Sequence, residues 1–392
     1  MYSNSKNPEN QNTLTLTVET IFDLQLRNIP NSIKKLTLDF VSDDSNNNKI
    51  LTKGKNSNCI TFPNILHVLF SNNNFEQNFV IFPNDLQTLT LGGNFNQKLK
   101  NLPLGLQVLT LGRSFNQKLE NLPQCLRTLN LSGSFNKKLE NLPHGLQTLT
   151  LCGKFNQKLE NLPSGLLDLN LNCIFNQKLE NLPDGLKKLN LGYHFNQKLE
   201  NLPNSLQSLT LGSNFDSKLE NLPNNMQSLT LGDGFNKKLE NLPSGLRYLT
   251  LGDKFNQKLE NLPNGLRILT FGSDFNQKLE NLPNDLQVLT LGSNFNQKLK
   301  KLPTSLRDLT LSKNFRRKIN ICVALPNLRN LTINSFNYNF EIPPIFKVTI
   351  ICMSKIHNKI IKLYKNYKTY DIKTWKCIFV KSIEYNIWQK TE

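Results

Sequence analysis

No two cysteines in this chain form a CxxC pair. The seven present (Cys59, Cys125, Cys152, Cys173, Cys322, Cys352 and Cys377) keep no framework spacing. That excludes a thiolate zinc motif and a disulfide scaffold, and it is the pattern of reduced thiols inside a cell. The four histidines, His67, His144, His194 and His357, are scattered, and no two stand at a metal-ligand spacing. Gly-rich phosphate loops are missing, since Gly92-Gly93 belongs to a recurring segment, and no nucleophile stands beside a base in a known signature. No run of eighteen apolar residues could span a membrane as a helix, and the polar stretch Met1 to Asn12 has no apolar core of a secretory signal. The expectation is an intracellular protein that is not an enzyme, with no cofactor, metal or small-molecule substrate.

What the chain does have is a period. Thirteen prolines recur at steps of twenty residues from Pro63 to Pro303, and thirteen phenylalanines keep the same step from Phe75 to Phe315. A short fixed period means one unit copied and stacked, with each copy touching only its neighbours. A length of 392 residues would otherwise suggest two or three domains; the repeat predicts instead a mainly β solenoid, poor in α/β character.

The unit beginning at Phe115 shows why. Around Leu129-Asn130-Leu131 apolar and polar residues alternate, which is strand periodicity. Copies in fixed register make a parallel sheet on one face, with Leu129 and Leu131 inward and Asn130 outward. The outward column is mostly Thr, from Thr90 to Thr310, a β-branched residue suited to that position. Pro-x-Gly, as in Pro143-His144-Gly145, precedes each strand and reads as a turn whose third residue tolerates positive φ. Leu99, Leu102, Leu106, Leu109, Leu111 and Phe115 typify the buried set, each stabilising by ~1.5–3 kcal/mol when fully buried. Ordering costs ~1.5 kcal/mol per residue, so a single unit roughly breaks even and only stacking makes it stable. The Lys98 and Glu120 columns read as a neutralised solvated face, and the column from Asn96 to Asn296 as a ladder satisfying backbone groups at a bend.

Phe22, Leu26, Asn28, Ile29 and Pro30 hold the offsets of Phe95, Leu99, Asn101, Leu102 and Pro103, so the pattern starts early. The expected organisation is a polar leader over 1–15 and a solenoid over 16–346, with an insertion loop at about 41–58 and regular repeats over 75–314. A C-terminal cap follows over 347–392. Ile356, Ile360, Leu363, Tyr364 and Tyr367 recur at helical spacing, so the cap is expected to be partly helical. Net charge is +18, and residues 315–392 carry 14 basic and 4 acidic groups. That basic, aromatic segment, Lys355 to Lys390, leaves open a second reading as a binder of nucleic acid or an anionic surface.

Positions that differ between near-identical copies are the candidates for partner binding. One set opens the strand: Arg127, Asp168, Lys188, Arg247, Tyr248, Arg267, Arg307 and Asp308. Another follows it: Tyr193 and His194. Both flank the exposed sheet face on which such solenoids bind. Arg247, Tyr248 and Arg267 stand out, because Tyr and Arg dominate interface energetics.

The run Leu-Thr-Leu-Gly-x-x-Phe-Asn-Gln followed by Leu-Pro-x-Gly-Leu, as in Leu249 to Leu266, resembles the FNIP repeat family of social amoebae and giant viruses. The resemblance covers about 16–346. It implies a fold similar to short leucine-rich repeats, curved, with the sheet on its concave side. It also implies an interaction scaffold with a protein partner, which in a virus would be a host protein.

Overall fold

The computed structural model describes 86–92, 95–100, 102–317 and 325–332 in full. It also gives the backbone of strands at 13–18, 35–40, 65–69, 319–320, 330–333, 340–341, 349–352, 375–380 and 385–390. The expected insertion at 41–58 and the expected helix at 356–367 lie outside these residues. Two compact units divide the chain, Met1–Gly192 and Tyr193–Glu392.

The first unit is a parallel stack. Its strands run from Thr13–Val18, Lys35–Phe40 and Ile65–Leu69 through Thr88–Leu91, Val108–Leu111, Thr128–Leu131, Thr148–Leu151 and Asp168–Leu171 to Lys188–Leu191. In the regular part each strand pairs with the next at a twenty-residue step, as in Leu109 with Leu129 and Leu111 with Leu131. Alternation does what the sequence requires. Leu129 and Leu131 are buried while Thr128 and Asn130 lie half-buried on the outer face. Inside, Phe95, Phe115, Phe135, Phe155 and Phe175 stack with ring centroids 6.0–6.3 Å apart and planes within 10° of parallel. That is the offset stacking aromatic quadrupoles prefer.

The second unit repeats the scheme in Ser208–Leu211, Ser228–Thr230, Tyr248–Leu251, Ile268–Phe271, Val288–Thr290, Asp308–Leu311, Asn330–Ile333 and Thr349–Cys352. Its phenylalanines, Phe195 to Phe315, stack at 6.0–6.3 Å. The C-terminal segment adds an antiparallel hairpin, Trp375–Val380 against Tyr385–Lys390. The second hairpin strand pairs antiparallel with Thr349–Cys352, Ile350 opposite Trp388.

Side chains bind one turn to the next on the far limb. The backbone N–H of Asn116 donates to Asn96 Oδ1 at 2.8 Å, that of Asn136 to Asn116 Oδ1 at 3.0 Å, and so on to Asn176. In the second unit the ladder runs from Asn196 to the backbone N–H of Arg316. Asp216 is its one aspartate among the described residues. Its Oδ1 accepts from the Asn236 N–H, and its Oδ2 from Lys237 Nζ at 2.7 Å. Partial burial acts to raise its pKa; the Lys237 hydrogen bond, the Asn236 N–H and the charges of Lys237 and Lys254 outweigh that and hold the carboxyl below its usual range.

Two local expectations are corrected. The Pro-x-Gly turn does form, with the N–H of Leu126 donating to Pro123 O at 3.1 Å and that of Leu246 to Pro243 O at 3.0 Å. Its third residue, however, has no positive φ. The left-handed residue is instead the asparagine two before the proline, from Asn121 at φ 56° to Asn281 at φ 58°. An ordinary turn of the commonest type needs no positive φ, which is why Cys125, Ser205 and Asp285 fit there. The second correction is Leu102, which is half-buried rather than core. Its slot follows the left-handed asparagine at a corner of the turn, and the slot stays fully covered only at residues such as Leu122, Leu142 and Leu282.

Candidate interaction surface

In the regular turns within each unit, a shared carbonyl launches the strand. The backbone O of Arg247 accepts the N–H of Arg267 at 2.8 Å and of Ile268 at 3.0 Å. Arg127 O does the same for Gln147 at 2.8 Å and Thr148 at 3.0 Å. This forked bond fixes the residue before the strand at the opening edge and the first strand residue on the face. Side chains that vary from copy to copy therefore stand in two ordered columns about 4.8 Å apart from turn to turn.

In the first unit, Arg127 is exposed at the opening edge. Asp168 and Lys188 are direct register partners on the face, opposite charges side by side. Arg127 stands two turns before Asp168 and does not join that pair.

In the second unit, Arg247, Tyr248 and Arg267 come together on adjacent turns, with Tyr248 41 % exposed and in register with Ile268. Asp308 is on the same face three turns from Tyr248, and Asn330 Nδ2 donates to its Oδ1. Tyr193 and His194 lie at the closing edge, their rings in edge-to-face contact with centroids 5.1 Å apart. They do not meet the other candidates of this unit.

Two residues of the face and edge, Val288 and Arg329, escaped the candidate set. Val288 continues the register of Tyr248 and Ile268; it is conservative enough to pass as a structural residue. Arg307 and Arg329 extend the opening edge, the N–H of Arg329 donating to Arg307 O at 2.7 Å. A step of 22 residues instead of twenty hides Arg329 from the period.

Among the described residues no group of three His, Cys, Asp or Glu could hold a metal ion. No helix among them is long and apolar enough to cross a membrane. Cys125, Cys152 and Cys173 are free thiols. Burial pushes Cys173 up to about 11, with Cys152 adding to the shift and a backbone hydrogen bond at Phe175 opposing it. An unreactive packed thiol results.

Stacked parallel strands, a leucine and phenylalanine core and a twenty-residue turn define a mainly β parallel solenoid of the leucine-rich-repeat kind. The FNIP Repeat model matches in successive windows that tile 95–313. The chain belongs to the FNIP repeat family. Its structure is similar to that of CroV588, a circular leucine-rich-repeat protein of a giant virus, with TM-score 0.64 and 37% identity over 80% of this chain. The chain spans 54% of that protein's length. YopM from Yersinia enterocolitica is a more distant likeness, with TM-score 0.48 and 21% identity over 82% of this chain and 78% of the other. A search of curated proteins found no match.

Proposed function

We propose that the chain is a non-enzymatic protein–protein interaction scaffold that binds its partner through the sheet face. One observation carries this reading. The core columns are uniform from turn to turn, whereas the side chains that differ are exposed or half-buried at the strand openings, as at Arg127, Asp168, Lys188, Arg247, Tyr248, Arg267 and Asp308. Solenoids of this kind present such a face to partners. The solenoid is taken as 16–346 and the basic aromatic segment 347–392 as its cap. The free thiols favour a reducing, intracellular setting.

Site-specific photo-cross-linking tests the reading. A benzophenone side chain would replace Tyr248 on the face or exposed Lys258 on the far limb. The protein would be irradiated in amoebal lysate at high salt after nuclease treatment. Discrete protein adducts at Tyr248 and none at Lys258 are expected. Equal labelling of the two, or none at Tyr248, overturns the reading.

The excess positive charge of residues 315–392 favours a second reading, nucleic-acid or anionic-surface binding through Lys355 to Lys390. Capture lost on nuclease treatment and with rising salt is its signature.

A further inference from the structure

The second unit has a feature that the first does not share. Its opening edge carries Arg247, Arg267, Arg307 and Arg329, with Gln287 between the two pairs. The forked backbone bonds put Arg267 one strand spacing from Arg247, and Arg329 one from Arg307. Among the described residues none of the four guanidiniums forms an ion pair or a side-chain hydrogen bond. Beside this edge, on the face, run Tyr248, Ile268 and Val288 in register. Beyond them stand Thr250, Thr270 and Thr290, and at the closing edge the exposed carboxylates of Asp233, Asp253 and Asp274. The face is therefore cationic along the opening edge, apolar beside it from Tyr248 to Val288 with Asp308 next in register, and lined by Thr in the middle; the closing edge, about 20 Å away or roughly six residues along an extended chain, bears these carboxylates with the exposed Lys254 among them.

Resting on the sheet-face reading, we infer that this face docks an extended acidic protein segment with the pattern acid-x-apolar-x-acid, laid across the strands. Two arginines about 5 Å apart can grip one carboxylate between them, and guanidinium suits carboxylate oxygens through paired hydrogen bonds. The midpoints of the two arginine pairs are three strand spacings apart, about 14 Å. An extended chain at roughly 3.4 Å per residue places side chains i and i+4 about 14 Å apart on one face. Residue i+2 then lies midway, at the turn of Gln287 and Val288, where an aliphatic side chain is desolvated against Val288 and its register neighbour Ile268. Asp285, exposed two residues before Gln287, disfavours an acid placed midway; Asp308, beside Arg307 on the face, has its Oδ1 engaged by Asn330 Nδ2. A nucleic-acid strand fits worse. Stacking needs a succession of aromatic rings, and here Tyr248 is followed by Ile268 and Val288, with three aspartates against one lysine from Asp233 to Asp274 at the far edge.

The test is fluorescence anisotropy on the full chain. The probe is a labelled peptide with Glu-x-Leu-x-Glu in a Ser/Thr background. Its comparators are the same peptide with Gln for Glu, one with the two Glu only two residues apart, and oligodeoxythymidylate. The expected result is preference for the i, i+4 peptide over both peptide comparators by at least about tenfold. R247E/R267E or R307E/R329E should each weaken it by at least about tenfold, while Arg127→Glu in the first unit leaves it unchanged. All the substituted arginines are exposed or half-buried, so circular dichroism should match the parent. A peptide in which Lys replaces only the one Glu that faces the altered pair should regain binding to R247E/R267E. Equal binding of both Glu spacings, or tighter arginine-dependent binding of the oligonucleotide, overturns the inference. So does absence of peptide binding; if Tyr248 nevertheless cross-links a protein, the scaffold reading stands and only this assignment of partner chemistry falls.

Discussion

At the residue scale, the left-handed asparagine before Leu-Pro, from Asn121 to Asn281, sets a local demand that few side chains meet. Asn181 has φ 56°, in the left-handed region where a Cβ crowds the following carbonyl and where Asn and Gly are the residues best tolerated. Replacing Asn181 by Gly is expected to leave the denaturation midpoint nearly unchanged. Asn181→Val, β-branched and without a side-chain acceptor, should cost about 1–3 kcal/mol; circular dichroism during urea unfolding measures both. Equal loss in the two variants would mean that the side chain, and not the dihedral, is what matters. Lys301 occupies the same slot without a positive φ, so the chain relaxes out of the conformation once Asn is gone. The ladder from Asn96 was legible as a ladder because an amide repeated at every turn has the next turn's backbone as its neighbour. The left-handed slot was not, because Gly after Pro offered a more familiar place for positive φ. Neither was the pairing of Arg307 with Arg329, since a two-residue extension of one turn shifts the second arginine out of the count.

At the scale of the element, each turn contributes one short strand, one turn closed at proline and one buried ring. Phe235 is fully buried between Phe215 and Phe255, at 6.1 and 6.2 Å. Phe235→Ala should cost about 3–5 kcal/mol. In a stack with nearest-neighbour coupling the loss should be local. Hydrogen exchange is expected to speed up in Ser208–Leu211, Ser228–Thr230 and Tyr248–Leu251 and hardly in Asp308–Leu311. Uniform acceleration over the whole second unit would instead reveal one cooperative block. Strand, core and turn were all readable at this scale, since period-two alternation and a fixed twenty-residue step leave one face for burial. The hairpin Trp375–Val380 with Tyr385–Lys390 was not anticipated. It lies outside the period, and its pairing to Thr349–Cys352 is set by a long-range edge rather than by local pattern. The helical spacing of 356–367 stays an expectation.

At the scale of the whole molecule, phase matters more than length. Removing 275–294 joins Asp274 to Phe295 and leaves every column in step. Phe295 takes the place of Phe275, and Ile268 would pair with Asp308 where it now pairs with Val288. Loss of one turn should therefore leave a folded protein with a far-ultraviolet spectrum scaled to its length. Removing 275–284, half a turn, puts polar slots against the leucine column and should cost far more, since a buried unpaired polar group costs roughly 1–3 kcal/mol. The same twenty-residue deletion also reports on binding. It takes out Gln287 and Val288 and draws the two arginine pairs together from three strand spacings to two, about 10 Å. That distance suits neither i, i+2 nor i, i+4 on one face of an extended segment. The shortened protein should keep its fold, keep all four arginines and lose affinity for the Glu-x-Leu-x-Glu peptide. Undiminished binding would show that charge alone recruits the acidic segment, whereas a selective loss would show that the period of the solenoid is also the ruler by which its partner is measured.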